Sequence, residues 1–402
     1  MSARRSLLLL AHRNPWPPTK GEKLRLHGLM RHLAERWDIW LGAGVDAAED
    51  WPVRDAIAPL CAEAFHADLR GRSRPRSALR ALAAGEPVTY AHFRDPALEA
   101  WVAERTGARP FDAIMTYSSG VAPALAAVRR PTRTVIDFVD VDSAKWTALA
   151  ETAKGPMRAI YAREGRLMAV EERRLARMAD ASLVVTEAEA DLFHRVTGVP
   201  ATVVGNGVDL AYWAEGGHLP SPYPDDGRAR IAFTGAMDYE PNVEAALRFA
   251  EAILPKLTGV EFVIAGGNPV RAVQALDARG DVRVTGRVED MRPYLAHATL
   301  AVAPLRVARG VQNKVLEAMA AGTPMVASPE ALSGIEAQGS VPAPATDDAF
   351  AAEIDRLLAD PQARAALADR ARDAVERGYA WRARAAELDA VLRGEAEGTE
   401  AA

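Results

Sequence analysis

The chain has 402 residues, 49% of them apolar and 26% charged, with a net charge of -5. That length exceeds one ordinary core and predicts two domains of a globular protein. The acidic balance excludes a general nucleic-acid binder, and the lone Cys61 excludes a disulfide framework or a cysteine metal site within the chain.

Ser6 to Ala11 is an apolar run after Arg4-Arg5. It is too short for a secretory h-region of roughly 7–15 residues and predicts a buried first strand. The loop from His12 to Gly21 carries several prolines and leads into a helix predicted from Glu22 to Arg36, with Asp38 to Leu41 as the next strand. A strand-loop-helix-strand start predicts a parallel sheet with helices on its faces. Ligands of such sheets sit at the carboxyl ends of strands, which is where Lys20 and Gly21 fall. Lys23 and Arg25 add positive charge there.

The next stretch is less regular. Arg70, Arg72, Arg74, Arg76 and Arg80 crowd together, and Met157 to Met178 reads as one long basic amphipathic helix. Such segments fit contact with an anionic membrane surface. They equally fit a solvated face paired with Glu164, Glu171 and Glu172. Asp112 to Thr116, Thr134 to Phe138, Ser182 to Val185 and Ala201 to Val204 are strand-like, and the first two end in Ser118-Ser119 and in Asp140-Val141-Asp142. Gly216 to Arg228 reads as the approach to a second domain. Strands follow at Arg230 to Phe233, Glu261 to Ala265, Val282 to Thr285, Leu300 to Ala303 and Met325 to Ala327, alternating with helices at about Asn242 to Leu254, Pro269 to Ala278, Glu289 to Ala296 and Gln312 to Ala321. From Asp347 onward only helices are predicted. The domains are placed at 1–210 and 228–378, with a last helix at about 379–396 packing back on the first.

Three stretches carry chemistry. Asp140-Val141-Asp142 has the spacing that holds a divalent ion in single-domain sugar transferases. A two-domain architecture favours acceptor binding or polar structure instead, with either carboxylate a candidate base. Gly235 to Asn242 joins a strand to a helix; Gly235 lets backbone approach a phosphate, Asp238 sits in the turn, and Asn242 is the expected cap. No full Gly-x-Gly-x-x-Gly is present, which counts against a dinucleotide-dependent dehydrogenase. The third is Arg309-Gly310-Val311-Gln312-Asn313-Lys314-Val315-Leu316-Glu317, with Arg306 just ahead. A glycine loop entering a helix N-terminus, with lysine and glutamate three positions apart, suits a phosphate and a sugar hydroxyl. The plain alternative is a surface ion pair.

The run from Lys314 to Ser328 resembles the donor signature of glycosyltransferase family 4. Asn206-Gly207-Val208-Asp209 and Gly286-Arg287-Val288 resemble further segments of it. Asn14 to Arg25 and Asp137 to Trp146 resemble the subgroup associated with exosortase-linked exopolysaccharide loci. The resemblance implies an α/β fold of the GT-B kind, two Rossmann-like doubly wound parallel-sheet domains facing a cleft. It also implies metal-independent transfer with retention, and no cofactor beyond the nucleotide-sugar substrate. By position, Glu317 would hold the donor ribose, and Lys314 with the amides after Gly310 the diphosphate. Arg287 would contact the base, and Gly21 would face the phosphates. The family often has a glutamate where Arg309 stands.

The expectation is a cytoplasmic glycosyltransferase of the hexosyltransferase type. Its catalytic candidates are Lys314, Asp140 and Asp142. Gly21, Gly235, Asp238, Asn242, Arg287, Arg306, Arg309, Gly310, Gln312, Asn313, Lys314 and Glu317 are expected on the donor. Lys20, Arg25, Ser118 and Ser119 are expected on a glycan or polyprenyl-linked acceptor. Peripheral contact with the inner membrane is expected as well; no metal and no nucleic acid are. Two other readings are a nucleotide-sugar 2-epimerase of the same fold and a non-catalytic nucleotide-sugar-binding subunit.

Overall fold

The computed structural model describes residues 4–18, 21–130, 132–308, 310–335 and 339–395. The chain divides into two compact units, one of 1–205 with 382–402, the other of 206–381.

In the first unit the run Leu7 to Leu10 is completely buried and forms β1 (Arg5–Ala11), in the middle of a seven-stranded parallel sheet. A strand covered on both faces needs no alternation, which is why its sequence is a plain apolar run. The others are β2 (Trp37–Val45), β3 (Glu63–Asp68), β4 (Ala113–Tyr117), β5 (Arg133–Val139), β6 (Ala181–Val184) and β7 (Thr202–Val203), in the order β3-β2-β1-β4-β5-β6-β7. The order reverses between β1 and β4, the switch point at which sheets of this type open a ligand crevice. The helices are α1 (Gly21–Leu33), α2 (Arg74–Ala84), α3 (Val88–Phe93), α4 (Pro96–Ala108), α5 (Asp142–Thr152), α6 (Pro156–Met178) and α7 (Glu187–Thr197). The sequence missed β3 and the α2 to α4 series. β3 is an edge strand whose side chains are mostly half-buried, so it lacks a long apolar run.

The helix α6 is tied down through its carboxylates. Glu164 accepts from the Val88 and Thr89 amides at the start of α3, at 2.8 and 2.9 Å. Glu172 accepts from the Ser143 amide at the start of α5, at 2.9 Å, and from its hydroxyl. Both carboxylates thus satisfy amides that have no partner within their own helices.

The second unit holds a five-stranded parallel sheet: β8 (Ala229–Thr234), β9 (Val260–Ala265), β10 (Val282–Gly286), β11 (Leu300–Ala303) and β12 (Met325–Ala327), in the order β10-β9-β8-β11-β12. Here the switch point lies between β8 and β11. Its helices are α8 (Leu210–Ala214), α9 (Glu240–Arg248), α10 (Arg271–Gln274), α11 (Arg292–Ala296), α12 (Asn313–Ala320), α13 (Asp347–Ala359) and α14 (Pro361–Gly378). The segment Gly216 to Arg228, read as an approach to this unit, is part of it: a side chain on Gly216 would strike the Arg292 carbonyl at 2.9 Å, and just ahead of it Trp213 on α8 is buried in the core. The segment's glycines, prolines and aspartates left too little apolar period to show this.

The last helix, α15 (Trp381–Arg393), contributes to the first unit from Arg382 onward. Its buried Asp389 accepts from the Trp37 indole at 2.8 Å and pairs with Arg36 at 2.7 Å.

The most buried ion pair of the first unit joins Arg25 on α1 to Asp137 on β5 at 2.9 Å, with side chains 2% and 0% exposed. Arg25 also donates to the Gly205 carbonyl at 2.7 Å. Removing one partner leaves the other charge buried alone, which costs about 3–5 kcal/mol. Asp137→Ala is therefore expected to lower the unfolding free energy of the full chain by about that amount, measured by urea titration at neutral pH. A change within error would show that the guanidinium finds water once the carboxylate is gone.

Candidate functional site

Three strand ends in the second unit close on one another through glycine. Gly235 follows β8 with a φ of 149°, and Gly266 follows β9 with a φ of 154°. A Cβ on Gly266 would sit 1.7 Å from the Gly235 carbonyl oxygen, so no side chain fits. The Gly235 amide donates to the Ala265 carbonyl at 3.1 Å, and the Gly266 amide to the Gly286 carbonyl at 3.1 Å.

Across the switch point, the chain leaves β11, passes Gly310 at a φ of 62°, and enters α12. Gln312 stands at the cap position without capping through its side chain. A helix start without a side-chain cap keeps N–H groups available to an anion. Lys314, in the first turn, is 9% exposed. Its Nζ donates to the Asn242 amide oxygen at 2.5 Å and lies 4.5 Å from the centroid of the Phe233 ring. Asn242 in turn donates to the Ala236 carbonyl at 2.9 Å. A Cβ on Gly235 would come within 3.2 Å of Lys314 Nζ. The loop after β8 and the start of α12 therefore meet at one buried ammonium.

That ammonium has no carboxylate within ion-pairing distance among the described residues. The reading of Lys314 and Glu317 as a surface ion pair is set aside. Burial pushes the Lys314 ammonium down to about 7, with Glu317 opposing. Desolvation raises the Glu317 carboxyl to about 7, with Lys314 opposing. A buried amine beside a neutral amide and an aromatic face lacks only a counter-anion.

The other expected donor residues are placed as follows. Asn242 is not the cap; α9 starts at Glu240, and Asn242 is a buried residue of its first turn that spends its amide on Lys314 and Ala236. Pro241 suits the first helical turn, which moves the start ahead of Asn242. Asp238 is exposed and accepts from Asn268 at 3.1 Å. Arg287 is exposed beside the end of β9, 3.7 Å from where a Cβ on Gly267 would lie. Asn313 accepts from the Asn206 side-chain amide at 3.4 Å. Arg306 pairs with Glu244 at 3.3 Å and with Asp347 at 3.9 Å. Arg309 lies outside the described residues.

The first unit's switch point carries a second group. At the end of β4, Ser118 has a φ of 77°, and the buried Ser119 hydroxyl donates to Asp142 at 2.7 Å. At the end of β5, Val139 has a φ of 68°, an outlier for a β-branched residue. Its amide donates to Asp137 at 3.0 Å, and its carbonyl accepts from the Val185 amide at 3.1 Å, which hold it there. Desolvation raises Asp142, with the Ser119 bond opposing. Asp140 is exposed as a residue, yet desolvation of its carboxyl, then Glu189 and Asp142, raises it to about 6. Among the described residues no group of three or more His, Cys, Asp or Glu is arranged to hold a metal. Gly21 opens α1 and is exposed, and Lys20 lies outside the described residues. The expectation of Arg25 on an acceptor gives way to its internal pair with Asp137.

Sequence reasoning gave no role to two further residues. Phe233 is one apolar residue in an apolar strand, and nothing local marks it as the floor under Lys314. His12, at the end of β1, stacks near Tyr117 and is held down to about 4 by burial and Arg13. Its place after a first parallel strand was the available signal.

Sign and window follow for stability. Folding lowers the Lys314 pKa from 10.5, so the unfolded chain binds more protons between pH 7 and 10.5 and stability rises across that range. Folding raises the Glu317 pKa from 4.5, so stability falls as pH climbs from 4.5 to 7. Lys314→Met is expected to flatten the alkaline rise and Glu317→Gln the acid-side fall in unfolding free energy against pH. Profiles parallel to wild type would refute the burial of these charges.

Residues 20–207 match the family described as glycosyl transferase 4-like domain, and residues 228–360 match glycosyl transferases group 1. A phosphatidyl-myo-inositol mannosyltransferase of Propionibacterium freudenreichii subsp. shermanii is 30% identical over 170 residues, 39% of this chain. The match spans 40% of that relative's length. Among solved structures, sucrose-phosphate synthase from Thermosynechococcus elongatus is similar at a TM-score of 0.69 and 16% identity, over 97% of this chain and 99% of that one. Anabaena Alr3699/HepE, in complex with UDP and glucose, gives 0.66 and 15%, over 97% and 100%. WaaG, a glycosyltransferase involved in lipopolysaccharide biosynthesis, gives 0.63 and 14%, over 96% and 100%. The fold of all three is shared with this chain.

Proposed function

Because the chain belongs to the glycosyltransferases of the GT-B fold, we propose that it moves a hexosyl group from a nucleotide sugar to a glycan or polyprenyl-linked acceptor. The observation that carries this is the Lys314 ammonium, buried at a switch point beside a glycine and a helix N-terminus, with no ion-paired carboxylate among the described residues. A diphosphate is the anion that fits. Its charge grows as the glycosidic bond breaks, and donors fixed in advance lower that barrier. On this reading Lys314, with the amides after Gly310, takes the diphosphate. Glu317, one turn on, accepts from the ribose hydroxyls, and Arg287 contacts the base. Arg309 bears on the donor sugar. The complex of Alr3699/HepE with UDP and glucose supports a nucleotide-sugar ligand for this fold.

The acceptor is assigned to the first unit, at Lys20, Ser118, Ser119, Asp140 and Asp142. Asp140, with a carboxyl poised near 6, is the better proton acceptor for an incoming hydroxyl. Transfer is proposed to be metal-independent and retaining, and to serve exopolysaccharide or cell-surface polysaccharide synthesis on the cytoplasmic face of the membrane. The resemblance of Asn14 to Arg25 and of Asp137 to Trp146 to the exosortase-linked subgroup supports that role.

Thermal-shift screening against UDP-, GDP- and dTDP-sugars is expected to raise the melting temperature with one nucleotide class. Product analysis with labelled donor then separates transfer, isomerisation and mere binding. Lys314→Ala is expected to lower turnover by roughly 10²–10³ while the melting temperature stays close to wild type. Unchanged turnover with a verified acceptor would sink the assignment.

A further inference from the structure

The residue that meets the buried Lys314 ammonium is notable for the charge it lacks. The loop after β8 and the start of α9 carry three acids close together, Asp238, Glu240 and Glu244. Among the described residues none of them pairs with Lys314. Asp238 is exposed and accepts from Asn268 at 3.1 Å, Glu244 pairs with Arg306 at 3.3 Å, and Glu240 is exposed. The side chain of this stretch that reaches the ammonium is neutral: Asn242, 6% exposed.

Its orientation follows from donor and acceptor chemistry. An ammonium only donates, so the amide oxygen must face Lys314, at 2.5 Å. The amide nitrogen then donates to the Ala236 carbonyl at 2.9 Å. A carboxylate of the same shape would set an oxygen against that carbonyl and a negative charge against the ammonium. Gly235 leaves the room the amide fills: a Cβ there would lie 2.6 Å from Asn242 Nδ2 and 3.2 Å from Lys314 Nζ. Buried and hydrogen-bonded at both ends, the amide holds the ammonium in one place.

A neutral partner and a charged one act differently on a buried cation. An amide oxygen fixes the ammonium and leaves it its unit charge. A carboxylate fixes it as firmly and balances that charge, so an incoming anion must compete with it. The other groups around Lys314 are the Phe233 ring and, on its own helix, Glu317, the charged group that bears on it.

We infer that Asn242 is a positioning residue for the donor diphosphate: it acts through Lys314, aiming the ammonium without neutralising it, and its lack of charge is what the site requires. The inference rests on the proposed sugar-transfer reading, in which Lys314 takes the diphosphate.

The full chain and its Asn242→Asp, Asn242→Ala and Lys314→Met variants are titrated with UDP, GDP and dTDP by calorimetry, and their melting temperatures are measured without nucleotide. Wild type is expected to bind one of the three, and Lys314→Met to bind it at least tenfold more weakly. Asn242→Asp changes charge and hardly size, and is expected to weaken that nucleotide at least tenfold. Asn242→Ala is expected to weaken it about fivefold, the worth of one hydrogen bond. Melting temperature is expected to take the opposite order: Asn242→Ala lowers it more than Asn242→Asp, whose new ion pair offsets the lost bond to Ala236. A purely structural residue would give the same order in both measurements. In a Lys314→Met background, Asn242→Ala is expected to change binding by less than about twofold. The inference is overturned if Asn242→Asp binds as well as wild type, if binding and melting temperature fall in the same order, or if the Asn242→Ala loss persists without Lys314. Should Lys314→Met bind as tightly as wild type, or wild type bind none of the three, the diphosphate reading of Lys314 fails and takes this inference with it.

Discussion

An ammonium group kept out of water, with no ion-paired carboxylate among the described residues, is the constraint around which the second unit is arranged. Lys314 meets one amide oxygen, one aromatic face and the backbone of Gly235. Desolvation of that charge is costly, and the neutral partners offset it only in part. The surrounding chain conforms to it. Gly235 can bear no side chain at that distance, Gly266 none at all against Gly235, and Asn242 must sit inside the first turn of its helix rather than ahead of it.

The first unit solves a different problem. Its sheet is held by an apolar interior, while the helices over it are positioned by buried carboxylates. Glu164 and Glu172 lie eight residues apart on α6, close to two turns. Each closes the open start of another helix, so α3 and α5 are fixed to one rigid rod. The second of those helices begins at Asp142, and so the orientation of the carboxylates after β5 is set from α6. Arg25 and Asp137 add a cross-tie between α1 and the same strand. Polar groups here do structural work that in the second unit falls to glycine contacts.

Much of the architecture was legible in the residues. Parallel strands covered on both faces read as short apolar runs, and β11 and β12 of the second sheet declare themselves that way. Lys314 and Glu317 were legible through their spacing and place, although not as a buried amine with neutral neighbours, because Phe233 and Asn242 come from distant parts of the chain. β3 was not legible, since an edge strand needs only partial burial. Arg25 looked like a surface cation beside Lys20, because a sequence records charge and not the partner that removes it from solvent. The same blindness hid Trp213, which anchors a glycine-rich stretch to the second core.

Val139 shows what such anchoring implies. A valine in the left-handed region carries strain of about 1–3 kcal/mol, maintained by the hydrogen bonds to Asp137 and Val185. The kink it makes turns the chain so that Asp140 and Asp142 leave the sheet in a defined direction. A glycine there would relax the backbone and let those two carboxylates wander. Robustness to heat and precision of aim therefore run in opposite directions at this residue, and selection for a hardier molecule would begin by blunting it.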